Sequence, residues 1–412
     1  MLKGKSVLLG ISGGIAAYKA AELTRLFVKA GATVQVVMTA NAQRFITPLT
    51  LQVLSGQPVC TDLFDLQFES QIGHIHVARA AQLVVLAPAT ADVIAKAAAG
   101  IADDYLTTTL LATTAPVLIC PAMNTKMYEN PLTQRNLETL RKVGYHILEP
   151  CAGTLACKEE GQGRLAELSD IVDAARRILT PHTLAGKKIL ISAGPTWEPF
   201  DPVRFIANPS SGKMGYALAR VAALRSAEVH LVSGPTSLAA PCGVHLQRVT
   251  TAHEMKEAVM ELAPRMDVII MAAAVSDYRP VQVAPQKLKK TTGEMTISLV
   301  KNPDILALLG QSRSERQVLV GFAAETESLI ENATEKLIRK KLDFIVANNL
   351  TQAGSGFGTD TNQVKIIDAR GSITELPCLS KEEVAGRILD RIEQLLEDLA
   401  GKAISHGTHN IS

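Results

Sequence analysis

His74 and His76 are the side chains of the first half whose spacing suggests chemistry. On a strand, residues i and i+2 share one face, so the two imidazoles could ligate a metal together. No Cys, Asp or Glu lies nearby at ligand spacing, so we favour a single imidazole acting as an acid, a base or a hydrogen-bond partner. The sequence alone leaves the ligands of any metal open.

Glycine turns that follow apolar runs occur twice, and such turns present backbone N–H groups to a phosphate. The first leads from Gly4 into Ser12-Gly13-Gly14, and the second leads from Gly186 into Gly194-Pro195. The first turn does not satisfy GxGxxG, and Ser211-Gly212-Lys213-Met214 lacks the first glycine and the final hydroxyl residue of a P-loop. Nucleotide-type binding is therefore predicted from the strand and turn pattern, without a standard motif.

Short β-branched or leucine-rich runs alternate with helical patterns in the first half, which predicts a parallel sheet covered by helices on both faces. The predicted elements are strands over 7–11, 34–38, 83–87 and 117–120 and a helix over 16–30. Ligands of such sheets bind at the carboxyl ends of the strands. Small and polar residues collect at those ends, in Ser12-Gly13-Gly14, Thr39-Ala40-Asn41, Ala87-Pro88-Ala89-Thr90 and Pro121-Ala122-Met123-Asn124.

The second half repeats this alternation. The predicted elements are strands over 189–192, 229–233, 268–274, 318–322 and 344–347, a helix over 213–224, an antiparallel edge over 360–373 and a closing helix over 382–399. Thr180-Pro181-His182 breaks a helical pattern, so we place a domain boundary near residue 183. The predicted fold class is α/β, with two Rossmann-like domains in series over 1–183 and 184–400 and a flexible tail over 401–412.

The composition is that of a globular chain of two to three domains, with 412 residues, 47% apolar and 20% charged. A net charge of +2 and 4% aromatic residues favour small molecules over nucleic acid or a membrane surface as partners. Six cysteines without CxxC spacing favour a reducing cytoplasm over a disulfide scaffold or a zinc site. The apolar start imitates a signal peptide, but Gly13-Gly14 interrupts it and an amphipathic helix follows. No apolar run reaches the ~20 residues of a membrane span.

Motifs in both halves resemble known enzyme families. Those of the first half resemble the flavin-containing cysteine decarboxylases and are Ser12-Gly13-Gly14-Ile15-Ala16-Ala17-Tyr18-Lys19, Gly73-His74-Ile75, Ala87-Pro88-Ala89-Thr90-Ala91-Asp92, Pro121-Ala122-Met123-Asn124-Thr125-Lys126-Met127 and Ala156-Cys157 with Gly161-Gln162-Gly163-Arg164. Those of the second half resemble phosphopantothenate-cysteine ligase and are Gly194-Pro195-Thr196, Asp201-Pro202-Val203-Arg204, Asn208-Pro209-Ser210-Ser211-Gly212-Lys213-Met214-Gly215 and Ala284-Pro285-Gln286-Lys287-Leu288-Lys289-Lys290. In this order and over nearly the whole length, the chain resembles the bifunctional proteins of coenzyme A biosynthesis.

The first resemblance implies a flavoprotein fold with FMN at the strand ends, where a flavin supplies the electron sink that decarboxylation of a cysteine carboxylate lacks. The implied cofactor-binding residues are Ser12, Gly13, Gly14, Thr39, Ala87, Pro88, Ala89 and Thr90. It assigns His74 to the decarboxylation step and places Asn124 at the substrate carboxylate beside Met127. Cys157 would be a general acid on a substrate flap. A free cysteine is more commonly a small buried hydrophobe, although polar neighbours favour an exposed loop. Lys158 stands where the family usually has glycine.

The second resemblance implies a ligase fold that uses CTP and Mg²⁺ to join cysteine to 4′-phosphopantothenate through an acyl-cytidylate. Lys287 would neutralise charge on the attacked phosphate, Asn208 would bind the acyl intermediate, and Ser210-Ser211-Gly212 would bind the substrate phosphate. The alternatives are a solvated surface lysine at 287 and helix caps at Asn208 and Ser210. The other implied substrate-binding residues are Arg204, Asp277, Asn302, Pro303, Asp304, Ile305, Phe322, Lys336 and Lys340, with Lys336 and Lys340 expected on one helix face.

The resemblance sets the order of the two reactions. The ligase half acts first, and its product, 4′-phosphopantothenoylcysteine, is decarboxylated to 4′-phosphopantetheine. It also implies a homo-oligomer with trimeric flavin domains and dimeric ligase domains. The main alternative is a flavoprotein fold kept as a regulatory module, as in relatives that inhibit a phosphatase, which His74, Asn124 and Cys157 together disfavour. An NAD(P)-linked oxidoreductase has support only from the fold.

Overall fold

The computed structural model describes residues 2–64, 73–154, 160–289, 295–325, 328–349 and 358–407. It divides into two compact units, Met1–Pro181 and His182–Ser412. The assignment of one reaction to each unit stays a prediction.

The first unit contains a parallel sheet with strand order β2-β1-β3-β4-β5. Its strands are β1 (Ser6–Ile11), β2 (Thr33–Met38), β3 (Leu83–Ala89), β4 (Val117–Pro121) and β5 (His146–Ile147). The predicted strands are confirmed, and the structure lengthens each of them slightly. The order is flavodoxin-like, and its topological switch point lies between β1 and β3.

Helices cover both faces of this sheet, as the alternating pattern predicts. They are α1 (Lys19–Lys29), α2 (Pro48–Ser55), α3 (Gly73–Ala80), α4 (Ala91–Ala99), α5 (Tyr105–Ala112), α6 (Thr125–Glu129), α7 (Pro131–Lys142) and α8 (Leu168–Leu179). The predicted helix over 16–30 is a 3₁₀ turn, Ile15–Tyr18, continued by α1. Alternate residues of β1 enter opposite cores, since Leu9 belongs to one apolar cluster and Leu8 to the other.

The segment with the two histidines is a helix, so the expected strand is wrong. Residues two positions apart on a helix point about 200° apart around its axis, and here His76 is exposed while His74 is half-buried. Alanine and arginine at the end of α3 favour a helix, and the alternation of polar and apolar residues in this segment did not determine its conformation. The portion of the chain that the structure covers holds no group of three or more His, Cys, Asp or Glu suited to a metal ion.

A two-stranded antiparallel hairpin follows β5 and consists of β6 (Cys151–Thr154) and β7 (Glu160–Arg164). Cys157 and Lys158, which belong to the predicted substrate flap, fall outside the described residues. The strands on either side of them are described, and β7 lies against α6. The hairpin therefore connects the flap segment to the helix that begins after Asn124.

The second unit contains more strands. They are β8 (Lys188–Ala193), β9 (Glu198–Pro199), β10 (Phe205–Ile206), β11 (Glu228–Ser233), β12 (Val244–Arg248), β13 (Val268–Met271), β14 (Tyr278–Pro280), β15 (Leu299–Lys301), β16 (Val318–Glu325), β17 (Phe344–Asn349), β18 (Thr361–Asn362), β19 (Val364–Asp368), β20 (Ile373–Glu375) and β21 (Leu379–Ser380). The main sheet has the order β12-β11-β8-β13-β16-β17-β19-β20. Its first six strands are parallel and follow the Rossmann order, with the switch point between β8 and β13.

The antiparallel edge is confirmed, since β19 pairs with both β17 and β20 in that sense. The helices of this unit are α9 (Lys213–Leu224), α10 (Ala252–Leu262), α11 (Ile305–Ser312), α12 (Leu329–Arg339) and α13 (Lys381–Gly407). The predicted helix over 213–224 is confirmed at both ends. Two apolar clusters cover the two faces of the sheet, and Ile189 and Leu190 of β8 enter different ones.

Two boundaries differ from the predictions. Strand β13 ends at Met271 because the N–H of Ala273 donates to Ser192 Oγ (3.1 Å) and that of Ala274 donates to the Gly194 carbonyl (2.9 Å). Helix α13 continues to Gly407, past residue 399, where the closing helix was expected to end; the flexibility of the tail stays a prediction. The single Gly401 costs a helix only about 1 kcal/mol relative to alanine, and good helix formers surround it. Over the described part of the chain, no helix is long and apolar enough to span a membrane.

Candidate active sites

Ser12 joins the two strands that flank the switch point of the first unit. Its hydroxyl donates to the Pro88 carbonyl (2.7 Å) and accepts from the backbone N–H of Thr90 (2.9 Å). The Ser12 N–H donates to the same carbonyl at 3.2 Å, and only 1% of the residue is exposed. The structure thus brings together three of the predicted cofactor-binding residues, and Ala87 and Ala89 flank them in β3.

Gly13 lets the loop after β1 approach the loop after β2. A Cβ on Gly13 would lie 2.4 Å from the Asn41 Cβ and 2.7 Å from the Asn41 carbonyl carbon. Thr39 belongs to the same wall, since its N–H donates to the Ile11 carbonyl (3.1 Å) and its hydroxyl accepts from the Ala42 N–H (3.3 Å). Small residues with satisfied backbone groups therefore line the edge of the sheet.

Helix α4 begins at this edge with N–H groups that no side chain caps. Its N-cap residue is Thr90, and no side-chain capping bond is present there in the described structure. By contrast, Asp104, Asn124 and Asn130 cap α5, α6 and α7. Uncapped N–H groups at the positive end of a helix dipole suit an anion. The donor set at this edge therefore fits a flavin whose phosphate lies against backbone N–H groups, with Gly14 beside them.

Asn124 lies at the start of α6, and the hairpin packs directly against it. Its Oδ1 accepts from the backbone N–H of Lys126 (2.8 Å), and the neighbouring Met123 N–H donates to the Gly163 carbonyl (2.9 Å). A Cβ on Gly163 would lie 2.3 Å from the Met123 carbonyl oxygen, and one on Gly161 would lie 2.6 Å from Thr125 Oγ1. Only glycine permits this approach. Strand β7 therefore fixes one end of the flap segment beside Asn124.

Tyr128 anchors helix α6 through hydrogen bonds to residues outside this helix. Its hydroxyl donates to Glu149, which also accepts from the guanidinium of Arg141, and Gln134 Nε2 donates to the Tyr128 carbonyl (2.6 Å). Burial, reinforced by Glu149, raises the pKa of Tyr128 to about 12. The residue before it, Met127, is exposed. Sequence reasoning gave Tyr128 no role, since its partner lies on a different element.

His74 occupies α3 and lies half-buried. Its ring meets the Tyr105 ring edge-on, with the centroids 6.4 Å apart. The helix contacts β1 and α5, which places the imidazole beside the sheet. Its part in decarboxylation stays a prediction.

The second unit closes its switch point by bonds between the loops after β8 and β13. Thr196 Oγ1 accepts from the buried N–H of Ser276 (3.0 Å), and Gly194 accepts from Ala274. Asn208 lies over this junction and donates from Nδ2 to the carbonyls of Ala274 (3.3 Å) and Val275 (3.1 Å). The predicted Asn208 is therefore fixed at the switch point, with its side chain exposed.

Three glycines bring the loops and α9 together. A Cβ on Gly234 would lie 1.7 Å from the Pro195 carbonyl oxygen, and one on Gly215 would lie 2.5 Å from the Ala193 Cβ. Gly212 has φ 75°, a left-handed conformation that favours glycine. The backbone thus approaches the sheet as it does in phosphate-binding turns.

Helix α9 begins without a side-chain cap, whereas Thr251 and Asp304 cap α10 and α11. Ser210 Oγ accepts instead from the Gly212 N–H (3.3 Å), which precedes the helix. The alternative in which Asn208 and Ser210 cap this helix is therefore wrong. The half-buried Ser210 and Ser211 lie beside its uncapped N–H groups.

Asp304 and the two predicted lysines form a charged group at another part of the sheet edge. Lys340 Nζ donates to Asp304 (2.8 Å), and Lys336 Nζ donates to the Phe322 carbonyl (2.9 Å). Burial opposes ionisation of Asp304, but the bonds from Lys340 and from the Ala307 N–H hold its pKa below the ordinary value. Both lysines therefore lie near Asp304, and Lys336 also contacts Phe322 within β16.

Lys340 lies just beyond the helix on which we expected it. Helix α12 ends at Arg339, and Lys341 takes a positive φ of 53°, which terminates helices. The Lys340 N–H still donates to the Lys336 carbonyl (3.1 Å), so the expected proximity is kept.

Asn302 links two further predicted residues. Its Nδ2 donates to the Ser276 carbonyl (2.8 Å) and its N–H donates to the carbonyl of the exposed Asp277 (2.8 Å). Pro303 follows it and is half-buried. Ile305 is 3% exposed and packs in the core, so the structure does not bring this predicted residue to the open part of the site. That burial follows from its place at the first position of α11, facing the sheet.

Arg204 is half-buried and is held in an ion pair with the buried Asp201. Its Nε and Nη2 donate to Asp201 Oδ2 at 2.9 and 2.5 Å, and its guanidinium lies 5.1 Å from the centre of the Phe200 ring. Lys287 is exposed on a neighbouring segment. Asp201 stood in a recognised motif, but its role depends on contacts that the sequence does not display.

Both units match known families. The family model described as "Flavoprotein" matches residues 1–180, and that described as "DNA/pantothenate metabolism flavoprotein C-terminal domain" matches residues 184–396. The fold and the two sheet edges thus define a two-unit α/β protein whose first unit is of the flavoprotein class.

Curated relatives extend over the whole of both units. A coenzyme A biosynthesis bifunctional protein CoaBC of Vibrio parahaemolyticus is 50% identical over 397 residues, which cover 96% of this chain and 99% of the relative. That of Bacillus subtilis is 50% identical over 399 residues, 96% of this chain and 98% of the relative. A solved structure of the C-terminal domain of CoaBC is 46% identical and covers 53% of this chain and 99% of its own, with a TM-score of 0.46. The chain belongs to the CoaBC family of bifunctional coenzyme A biosynthesis proteins, which confirms the resemblance seen in the sequence.

Proposed function

We propose that the second unit joins cysteine to 4′-phosphopantothenate with CTP and that the first unit then decarboxylates the product to 4′-phosphopantetheine with FMN. The observation that carries this proposal is the presence of two independent switch points on one chain, each with an uncapped helix start beside it. The family of the whole chain supports the pairing of the two reactions.

In the first unit, bound FMN supplies the electron acceptor that makes loss of the carboxylate possible. Asn124 Oδ1 accepts from the Lys126 N–H, and Nδ2 is the donor end of this amide, the end whose chemistry suits a substrate carboxylate. The contacts of Gly161 and Gly163 bring the described end of the predicted flap to the same place. We assign the return of a proton to Cys157 on that segment, with His74 assisting decarboxylation.

In the second unit, the carboxylate oxygen of 4′-phosphopantothenate attacks the α-phosphorus of CTP and pyrophosphate leaves. The amine of cysteine then attacks the acyl carbon, an amide forms and CMP leaves. Lys287 stabilises charge on the phosphate under attack, while Lys336 and Lys340 neutralise the nucleotide phosphates. The uncapped start of α9 receives the phosphate of 4′-phosphopantothenate, beside Ser210.

Mg²⁺ belongs to this proposal as the companion of the nucleotide. Such ions are usually held by one or two carboxylates together with substrate phosphates. The exposed Asp277 lies at the edge of the site, and the residues covered by the structure contain no group of three or more His, Cys, Asp or Glu that could hold a metal ion. The Asp277 carboxylate fits a metal that arrives with CTP. The cytoplasm stays the expected compartment of the protein.

The second unit also presents a surface suited to a dimer, which we call the hairpin patch. Its side chains are large, apolar and exposed, and they come from the hairpins β9–β10 and β14–β15 and the adjoining loops: Trp197, Val203, Phe205, Tyr278, Val281, Leu299 and Val300. The Trp197 and Phe205 rings stack with centroids 4.2 Å apart. Exposed apolar patches of this kind mark interaction sites. We propose that the ligase units pair here and that the flavin units form trimers.

Separate assays test the two reactions. Purified protein is incubated with CTP, Mg²⁺, 4′-phosphopantothenate and cysteine, and pyrophosphate and 4′-phosphopantothenoylcysteine are measured; ATP replaces CTP in a parallel sample. Carbon dioxide release from supplied 4′-phosphopantothenoylcysteine is measured independently. A protein that releases no carbon dioxide but inhibits a phosphatase, or one that oxidises NAD(P)H, contradicts the proposal. Light scattering of Trp197→Glu tests the dimer, which this substitution should dissociate.

A further inference from the structure

Asp201 is a buried carboxylate that binds donors from its own loop and from one distant segment. Its Oδ1 accepts from the N–H groups of Val203 (2.9 Å) and Arg204 (2.8 Å). Its Oδ2 accepts from the Arg204 guanidinium and from the N–H of Leu288 at 3.2 Å. The residue is 1% exposed, and its bond to Arg204 holds the pKa of the carboxyl well below its usual range. The carboxylate therefore stays charged, and both of its oxygens accept hydrogen bonds.

The contact with Leu288 is one part of a clamp on the segment that carries Lys287. The Leu288 carbonyl accepts from Arg204 Nη2 (3.0 Å), so both backbone polar groups of this residue bind the Asp201–Arg204 pair. At the other end of the segment, the Ala284 N–H donates to the Phe200 carbonyl (3.0 Å). Residues 284–288 are thus held at both ends by residues 200–204.

Packing alone does not hold this segment. Lys287 is exposed, and Leu288 is an exposed apolar residue with 37% of its surface accessible. The hydrogen bonds that the described structure records between segment 284–288 and other segments all go to residues 200–204. A change at Asp201 therefore shifts the backbone next to Lys287.

We propose that Asp201 is a positioning residue of the ligase reaction, which acts by holding the Lys287 backbone where its ammonium meets the phosphate under attack. This inference rests on the proposed ligase function of the second unit. Electrostatic stabilisation of a transition state depends on donors that are fixed beforehand, and a displacement of about 1 Å can lower a rate about a hundredfold. A lysine on an unanchored loop would not meet that requirement.

Asp201→Asn tests the proposal, because the amide fills the same volume but loses the charge and one acceptor oxygen. We expect pyrophosphate release with CTP and 4′-phosphopantothenate to fall about tenfold to a hundredfold in kcat, with a smaller change in KM. Carbon dioxide release from supplied 4′-phosphopantothenoylcysteine serves as the internal control on the same chain and should not change.

A double-mutant cycle separates positioning from a structural role. In a Lys287→Gln background, Asp201→Asn should cost less than about threefold, since the group that it positions is already gone. In a Lys289→Gln background, which removes a neighbouring exposed lysine, it should cost as much as in the wild type. Equal losses in all three backgrounds, or a wild-type rate for Asp201→Asn, overturn the inference.

Leu288→Pro is the second variant and removes the same N–H donor while it leaves Asp201 and Arg204 paired. If Asp201→Asn lowers the melting temperature of the second unit to the assay temperature, Leu288→Pro replaces it in the double-mutant cycle. The loss of rate that Leu288→Pro causes should depend on Lys287 in the same way. Wild-type protein that forms no 4′-phosphopantothenoylcysteine refutes the proposed ligase function. An active wild type with additive losses refutes only the role of Asp201.

Discussion

The two switch points of this chain differ in the side chains that surround them. In the first unit, the buried Ser12 hydroxyl and the close contact at Gly13 fix the strand ends before any ligand arrives. In the second unit, the loops bind each other, and the charged residues Lys287 and Asp277 stay exposed. A rigid wall of small residues suits a resident cofactor, whereas exposed charges suit phosphorylated substrates that bind and leave.

The two units nevertheless share one device. Helices α4 and α9 begin beside the switch points without side-chain caps, while their neighbours α5 and α10 are capped by Asp104 and Thr251. A cap satisfies the N–H groups that an anion would otherwise bind. Helices α1, α2, α8 and α12 also begin without a side-chain cap, so the starts of α4 and α9 suit the proposed phosphate sites through their position at the switch points.

Lys287→Gln should produce the largest effect and confine it to the second unit. Loss of one preorganised charge at a phosphate lowers kcat by about a hundredfold to a thousandfold. Pyrophosphate release in single-turnover experiments measures this directly, and Lys289→Gln is the matched control. An unchanged rate for Lys287→Gln would mean that an exposed lysine on this segment takes no part in catalysis.

Gly13→Ala should produce the next largest effect and confine it to the first unit. The new methyl group would lie 2.4 Å from the Asn41 Cβ, so the loop must move, and such overpacking usually costs about 1–3 kcal/mol. We expect retained flavin, measured by absorbance after gel filtration, to fall at least several-fold while ligation continues. Full retention of flavin would contradict the rigid wall.

Ser12→Ala should have a smaller effect on the same wall. It leaves the Pro88 carbonyl and the Thr90 N–H without the hydroxyl that joins them, which costs about 1–3 kcal/mol for buried groups. Titration of the apoprotein with FMN should show an affinity about tenfold weaker, since 1.4 kcal/mol corresponds to about one factor of ten. An unchanged affinity would assign the bridge to folding alone.

The smallest expected effect is a difference between the two units in the pH dependence of their stability. The pKa of Asp201 lies below its ordinary value of 3.8, so its contribution is complete above that pH and is lost as the pH falls toward the folded pKa. The pKa of Tyr128 is raised from 10.0 to about 12, so its contribution is complete below pH 10.0 and is lost as the pH rises through that window.

Two probes separate these effects. Trp197, the single tryptophan of the chain, reports unfolding of the second unit, and flavin fluorescence reports the first. Asp201→Asn should flatten the acid limb of the first probe, and Tyr128→Phe should flatten the alkaline limb of the second. If the variant and the wild type lose stability over the same pH range, other titratable groups cause the pH dependence.

The strands and the strand-end loops could be predicted from the sequence because buried parallel strands are continuous apolar runs with small residues at their ends. The helix over 213–224 was equally predictable, since glycine precedes it and its apolar residues recur at helical spacing. These features depend on neighbours along the chain. The same local information located the loops that carry Ser12 and Asn208.

Features that depend on distant contacts could not be predicted. The end of β13 is set by its bonds to the loop after β8, and the role of Asp201 depends on Leu288. The histidine segment was misread because alternation of residue types over a short stretch fits a strand and a short helix equally well. The clamp around Lys287 joins the loop between β9 and β10 to the segment between β14 and β15, so it forms only when both hairpins are folded.

The central claim is that each unit carries its own reaction, and carbon dioxide release by Lys287→Gln tests it most directly. The account predicts release at the wild-type rate from supplied 4′-phosphopantothenoylcysteine and almost none from CTP, 4′-phosphopantothenate and cysteine. Equal loss with both sets of substrates, or a purified wild type that holds no flavin and releases no carbon dioxide, would contradict it.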